Sequence, residues 1–359
     1  MTTKSVLSQA TELTDWSAAF SQLAYASEPP QAVGVIKSCP TDFQVDEQMA
    51  HTPTGEGEHI WLKVRKERQN TEQVAKGLAR FASVALRDVG YSGLKDFQAV
   101  TTQWFSVWLP KSAGPDWSGF DMFGVELLEV SRHSRKLKRG THQANRFIIT
   151  VRDLVADREQ LISTLSNIKE TGVPNYFGVQ RFGRDFNNLR LANSLLVERR
   201  PIKNRNLKSI VLSSARSWLF NQVVSQRIRL GTWNELYLGE PANLDGTNST
   251  FLASGEPDEL GRLTQLDIHP TAPLVGRDAD KAMAECPSLQ AMEAEWLAPY
   301  NAYIDGLCRL GLDYQRRALR SRVHDLTWSF DDDCLRLEFV LQRGQFATSV
   351  LRELLLEST

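Results

Sequence analysis

Closely spaced cysteines are missing from this 359-residue sequence. Cys39, Cys286, Cys308 and Cys334 stand far apart, and neither they nor the six histidines form the short C-x-x-C or H-x-x-x-H pairs that zinc sites use. A disulfide framework does not suit a chain of this length, so the cysteines read as reduced packing residues and no metal is expected. Long apolar runs are missing too. None approaches the roughly 20 residues that span a bilayer, and the opening MTTKSVLSQATELTDWS lacks the apolar core and cleavage site of a secretory signal. A cytoplasmic address with no membrane partner follows as an expectation. Net charge is almost absent at −1, which excludes a polycation that binds nucleic acid over its whole surface.

What is present is an ordinary globular balance, 42% hydrophobic and 24% charged, over a length that allows two domains. The charge is sorted by sign. From Ser131 to Arg152 there is no acidic residue, while Arg132, Arg135, Lys136, Lys138, Arg139, Arg146 and Arg152 supply cations; acid gathers instead at Asp331–Asp333 and Glu285–Glu295. Such a patch suits steering of a polyanion.

Residues 1–30 read as a loosely docked arm with scattered apolar positions (Leu13, Trp16, Phe20, Leu23) that ends in Pro29-Pro30. Residues 33–47 predict two short strands around a proline turn, and 58–66 a half-buried strand in which Ile60, Leu62 and Val64 alternate with His59, Trp61 and Lys63. Asn70 with Gln73 forms a capping-box pattern, opening a helix whose apolar face runs through Val74, Leu78, Phe81, Ala82 and Ala85 to a stop at Gly90. Tyr91–Asp96 is then a tight connection into a strand at 100–109, which puts Asp96 on a loop between helix and strand. Further strands are expected at 123–130, 145–151 and 335–342, and helices at 157–169, 188–198, 213–230, 289–310, 313–321 and from Gly344 to 356. The stretch 231–290 reads as looped.

Gly93-Leu94-Lys95-Asp96 alone is a common surface-turn pattern. It stands, however, in one ordered set with Pro40-Thr41-Asp42-Phe43-Gln44-Val45, Gly55-Glu56-Gly57-Glu58-His59, Arg132-His133-Ser134-Arg135-Lys136-Leu137, Asn145-Arg146-Phe147, the ten residues PNYFGVQRFG from Pro174 to Gly183, and Phe346-Ala347-Thr348-Ser349-Val350-Leu351-Arg352-Glu353-Leu354. The set resembles the TruD family of tRNA pseudouridine synthases from about residue 30 to residue 356. The resemblance implies isomerisation of a uridine at position 13 of tRNA, without metal or organic cofactor. It maps the catalytic aspartate onto Asp96 and pocket residues onto Phe43, Asn145 and Phe346. In two places the pattern differs: Phe97-Gln98 follows Asp96 where the family usually carries basic residues, and Ala144 precedes Asn145 where it usually has glycine.

The chemistry asks for little. The N1–C1′ glycosidic bond breaks, the uracil turns, and C5 joins C1′, with nothing oxidised or hydrolysed. A carboxylate can add to an electrophilic carbon and later leave; attack at C1′, attack at C6, and proton abstraction from the ribose all stay open for Asp96. The base must leave its stack, which costs a few kcal/mol, and aromatic walls such as Phe43 and Phe346 return roughly 1–3 kcal/mol per base. Asn145 can read the uracil edge or the ribose, with Phe147 as its support. Lys95 is either a substrate phosphate contact or half of a buried ion pair. Arg132, Arg135, Lys136, Lys138 and Arg139 are the expected phosphate contacts, which Arg181, Arg184, Arg199, Arg200, Lys203 and Arg205 could extend.

The expected fold is α+β. A mixed, largely antiparallel sheet flanked by helices forms a catalytic domain from 31–170 and 321–359, around an inserted α/β accessory domain at 171–320. The partner is tRNA, and the chain is expected to act as a monomer. A non-catalytic RNA-binding protein on the same scaffold is the alternative. A small-ligand glycosidase is weaker still, because no second carboxylate accompanies Asp96.

Overall fold

Nine strands join in one sheet in the computed structural model of the chain, which describes residues 15–110 and 112–356. They are β1 (Val33–Ile36), β2 (Phe43–Met49), β3 (His59–Glu67), β4 (Val89–Tyr91), β5 (Val100–Trp108), β6 (Val125–His133), β7 (His142–Val155), β8 (His324–Asp331) and β9 (Cys334–Gln342). The order is β8-β9-β7-β2-β5-β3-β6, with β1 added to β7 and β4 to β5. Only the β2–β5 pair is parallel; the others are antiparallel. The fold is therefore α+β with a mixed, mainly antiparallel sheet. This sheet belongs to a unit made of Gln31–Leu161, Val323–Gln345 and the residues from Leu355 on.

Period-two patterning decides which face is buried. Phe43 pairs with Ile149, Val45 with Phe147, and Glu47 with Asn145; on the other side Phe147 pairs with Phe339 and Asn145 with Leu341. Residues directly opposite share a face. One row therefore runs apolar through Val45, Phe147 and Phe339, all buried, each contributing about 1.5–3 kcal/mol. The next row turns polar at Glu47 and Asn145. A buried carboxylate beside an amide on an otherwise apolar face marks where packing gives way to chemistry.

The helix Thr71–Phe81 packs Val74, Ala75, Leu78 and Ala79 against Leu62, Val64, Phe105 and Val107. The Asn70 N–H donates to Gln73 Oε1 at 3.3 Å, as the capping pattern predicts. The helix ends earlier than expected. Ser83 takes a left-handed φ of 54° and the Val84 N–H donates to Ala79 O at 2.9 Å, a closing turn that satisfies the last carbonyls. Gly90 lies in β4 instead, where a Cβ would stand 2.3 Å from Leu137 O; glycine is there for close approach. The strand at 59–67 is buried on both faces near its start, since Trp61 stacks on His133 at 4.1 Å and donates to Arg135 O at 2.8 Å.

The second unit comprises the described residues up to Pro30, Ile162–Arg322 and Phe346–Leu354. Its core is helical, built on Asn187–Leu196 and Arg205–Arg229. Leu13 lies outside the described residues. Residues 15–30 of the expected arm are not loose: Trp16, Phe20 and Leu23 are 7%, 4% and 3% exposed, with Trp16 edge-on to Trp218 at 5.2 Å. The long helix begins at Arg205 rather than 213 because Asn204 caps it, its Oδ1 accepting from Leu207 N at 3.1 Å.

The stretch 231–290 is more ordered than its composition suggests. It holds a three-stranded sheet of Pro241–Leu244, Thr250–Leu252 and Ile268–His269, and a helix Pro257–Thr264. The helix expected at 313–321 is two strands, Gln315–Ala318 against Thr271–Leu274 and Arg320–Ser321 against Val173–Pro174. Buried side-chain partners override propensity there: Arg316 is held by Glu293 at 2.8 Å and Arg320 by His269 at 3.0 Å. No helix among the described residues is long and apolar enough to cross a membrane.

Candidate active site

The Gly93–Asp96 phrase lies between β4 and β5, so a short strand intervenes where the sequence implied direct passage from the helix. Nearly every residue of this loop is tethered. Lys95 N donates to Thr71 Oγ1 at 3.1 Å, Thr71 donates to Gln103 Oε1 at 2.9 Å, and Gln103 Nε2 donates to Gly93 O at 3.2 Å. Lys66 Nζ donates to Asp96 O at 3.1 Å and to Gln69 O at 2.8 Å. Thr71, Gln103 and Lys66 are all buried. Burial pushes the Lys66 ammonium down to about 8.

Lys95 serves the same purpose. Its Nζ lies 3.0 Å from Glu47 Oε2, with the two side chains 7% and 0% exposed, and Glu47 Oε1 accepts from Trp104 N at 3.1 Å. Of the two roles open to Lys95, the structure realises the buried ion pair. Its ammonium anchors the loop and is taken, so it is not placed as a contact to substrate.

Against these anchors, the Asp96 carboxylate is left facing outward, its side chain 57% exposed. Its partner is Lys37, whose Nζ stands 2.9 Å from Asp96 Oδ2 and 4.2 Å from the centroid of the Phe43 ring. Lys37 was missed in the sequence. A lysine between a strand and a proline turn carries no signal of its own, and its left-handed φ of 59° cannot be read from residue type. Phe43 is buried and sits edge-on to Phe147 at 6.1 Å, which in turn stacks on Phe339 at 5.4 Å. It is part of the core, with its ring beneath the lysine.

Asn145 faces Glu47 across β7 and β2. Its Oδ1 is buried and has no hydrogen-bond partner among the described residues, a cost of about 1–3 kcal/mol unless something supplies a donor. Close by, the His142 ring lies near Gly93. Burial, and then the charges of Lys95 and Arg343, push its pKa down to about 4, so it is neutral at physiological pH. Phe346 belongs to the other unit, half-buried with its ring 5.9 Å from Phe177.

The basic run divides into three groups. Arg146 pairs with Glu338, and Arg152 pairs with Asp42 at 2.7 Å, holding that carboxyl below its usual range. Arg132 donates to Gly57 O at 2.8 Å and Ser112 O at 2.6 Å, and Lys136 to Arg87 O. Arg135, Lys138 and Arg139 are exposed, with no side-chain partner among the described residues. Their loop is fastened next to the one that bears Asp96: Gly140 N donates to Ser92 O at 2.7 Å, and Leu137 N to Ser106 Oγ of β5 at 2.9 Å. Unspent cations thus stand on a segment bonded to the residue just before the Gly93–Asp96 phrase. In the other unit, Arg181 is half-buried and bonded to Ser217 at 3.0 Å, Arg184 lies 3.6 Å from Asp185 and Arg200 3.0 Å from Glu198. No trio of His, Cys, Asp or Glu able to hold a metal occurs among the described residues.

Comparison with known proteins gives one answer. The family model described as tRNA pseudouridine synthase D (TruD) matches residues 20–204 and 201–354. A protein of that name from Nitrosococcus oceani is 43% identical over 335 residues, covering 92% of this chain and 93% of its own. The one from Azotobacter vinelandii is 43% identical over 332 residues, covering 92% and 93%. That from Hydrogenovibrio crunogenus is 40% identical over 335 residues, covering 93% and 96%. A crystal structure described as a TruD from Methanosarcina mazei superposes with a TM-score of 0.67 at 20% identity, covering 92% of this chain and 95% of that one, which establishes the shared fold.

Proposed function

Because the chain belongs to the tRNA pseudouridine synthase D (TruD) family and is an isomerase of uridine in tRNA, we propose that Asp96 is the group that carries the isomerisation, and that the target is position 13. The observation that supports this is the contrast on one loop: the backbone around Asp96 is fixed by three buried side chains and the Lys95 ammonium by a fourth, Glu47, while the Asp96 carboxylate is left accessible beside Lys37. A structural aspartate would be buried with its partners. A reacting one must be fixed in place and open on one side.

In the reading we favour, a carboxylate oxygen attacks C1′ and the N1–C1′ electron pair leaves with the uracil. The uracil turns while bound, and C5 attacks C1′ as the carboxylate departs with its own pair. The proton on C5 is lost and N1 gains one, so the reaction balances without a co-reactant. Lys37 keeps the carboxylate pointed outward before the attack and balances its charge when it is released. Asn145 Oδ1, buried and lacking a donor, accepts a hydrogen bond from the uracil N3–H or a ribose hydroxyl. Phe43, beneath Lys37, is assigned to a wall of the base site.

Arg135, Lys138 and Arg139 hold phosphates next to the target. They position the RNA without reading its sequence, and tRNA shape supplies the choice of nucleotide. The protein acts as a cytoplasmic monomer in this account.

The test is to incubate tRNA labelled with tritium at uracil C5 with the purified protein. Release of one tritium per tRNA, lost when residue 13 alone is replaced by another nucleotide, supports the proposal. Release that persists after that replacement refutes position 13. Full release by an Asp96→Asn variant refutes the role of Asp96.

A further inference from the structure

Leu94 and Phe97, which flank the Lys95-Asp96 pair, are apolar and turned to solvent. Leu94 is 62% exposed and Phe97 47%. Single exposed apolar side chains are common on any surface. These two, however, belong to a loop whose backbone is tied down at Gly93 O, Lys95 N and Asp96 O. An aromatic ring carried by a tethered backbone can engage a planar partner with little further ordering cost.

Lys37, Lys66 and Lys95, the cations around this loop, are held by Asp96, backbone carbonyls and Glu47. Three cations without a side-chain partner among the described residues, Arg135, Lys138 and Arg139, are carried by the loop bonded to Ser92 O. Phosphate contacts are therefore available beside the catalytic loop without a charge at residue 97.

We propose that Phe97 stacks on the nucleotide adjacent to the target uridine, filling the gap that the everted base leaves and so favouring the open state of the RNA. The proposal rests on the tRNA-isomerase reading above and adds to it a contact that this chain makes with an apolar ring rather than a charge. Apolar side chains that enter a base step in this way are a recurring means of holding a nucleic acid distorted. Leu94, on the other side of Asp96, excludes water from the same contact.

Phe97→Ala, Phe97→Trp and Phe97→Lys are compared with the unmodified protein, using kcat/KM on a folded tRNA transcript and the melting temperature of each variant. A stacking contribution of roughly 1–3 kcal/mol per base corresponds to a loss of about 5- to 150-fold in Phe97→Ala. Phe97→Trp should retain near-normal activity. Phe97→Lys should keep only part of it, with a salt dependence steeper by about one unit of slope. Melting temperatures should change little, because close to half of the residue already lies in water. An alanine variant within twofold of the unmodified protein overturns the proposal, as does a tryptophan variant as impaired as the alanine one. In both cases the activity of the unmodified protein stands. If the unmodified protein forms no pseudouridine, the isomerase reading itself fails.

Discussion

The Lys66 ammonium bridges two carbonyls, Asp96 O at 3.1 Å and Gln69 O at 2.8 Å, and so joins the loop bearing the proposed catalytic carboxylate to the start of the helix Thr71–Phe81. A buried lysine used in this way acts through the residue it positions.

Lys66→Met should lower kcat by about tenfold or more while leaving KM for tRNA near normal, since a misplacement of about 1 Å at a reacting group can cost on the order of 100-fold. A pH signature distinguishes this from general unfolding. The folded lysine titrates at about 8, below its unfolded value of about 10.4. Between those values the unfolded chain binds the extra proton, so stability rises with pH. The melting temperature of the unmodified protein, measured relative to Lys66→Met, should therefore climb from pH 8 to pH 10. A constant difference would contradict the assignment.

His142 gives the same sign in a lower window. Its folded pKa of about 4 lies below the ordinary value of 6.5, so the unfolded state takes up a proton first as pH falls. Stability supplied by the neutral ring is present above about pH 6.5 and is lost as pH falls toward 4. Urea unfolding of the unmodified protein and His142→Gln at pH 7 and pH 5 should show the gap between them narrowing at the lower pH.

Arg152 spans from β7 to Asp42, a carboxylate only 1% exposed. Arg152→Ala strands that charge. Because the arginine side chain is itself 44% exposed, water replaces part of what is lost, and the expected outcome is a lower melting temperature short of unfolding. Adding Asp42→Asn should recover part of it. Independent, additive losses in the two single variants would show that the pair is not coupled.

The side chains of Arg135, Lys138 and Arg139 are exposed and make no hydrogen bond or ion pair among the described residues. Replacing all three by alanine should leave the melting temperature unchanged and weaken tRNA binding. The slope of log affinity against log salt should shrink by roughly 2–3, at about 0.7–0.9 per phosphate contact. An unchanged slope would place the phosphates elsewhere.

Patterns that repeat over several residues could be read from the sequence. The alternation in 145–151 and 335–342 gave two central strands, and Asn70 with Gln73 gave the helix start. The Gly-Leu-Lys-Asp phrase gave the loop, though the four buried tethers that fix it come from residues scattered between Glu47 and Gln103. The expected helix at 313–321 failed because Arg316 and Arg320 look like an exposed polar face until their buried partners Glu293 and His269 arrive from distant segments. The arm around Trp16 looked loose because its apolar positions are sparse, yet Trp16, Phe20 and Leu23 all enter the core. Arg146 and Arg152 looked like part of one free basic stretch for want of their partners, Glu338 and Asp42. Lys37 left no trace at all, since its value comes entirely from the 2.9 Å to Asp96.

The most direct measurement is single-turnover pseudouridine formation by Asp96→Asn, run beside tRNA binding by the same variant. The change preserves side-chain size on an exposed group and removes only the anionic nucleophile. The account predicts a loss of at least about 1,000-fold in rate with affinity within a fewfold of normal. Pseudouridine formed at near the normal rate would contradict it.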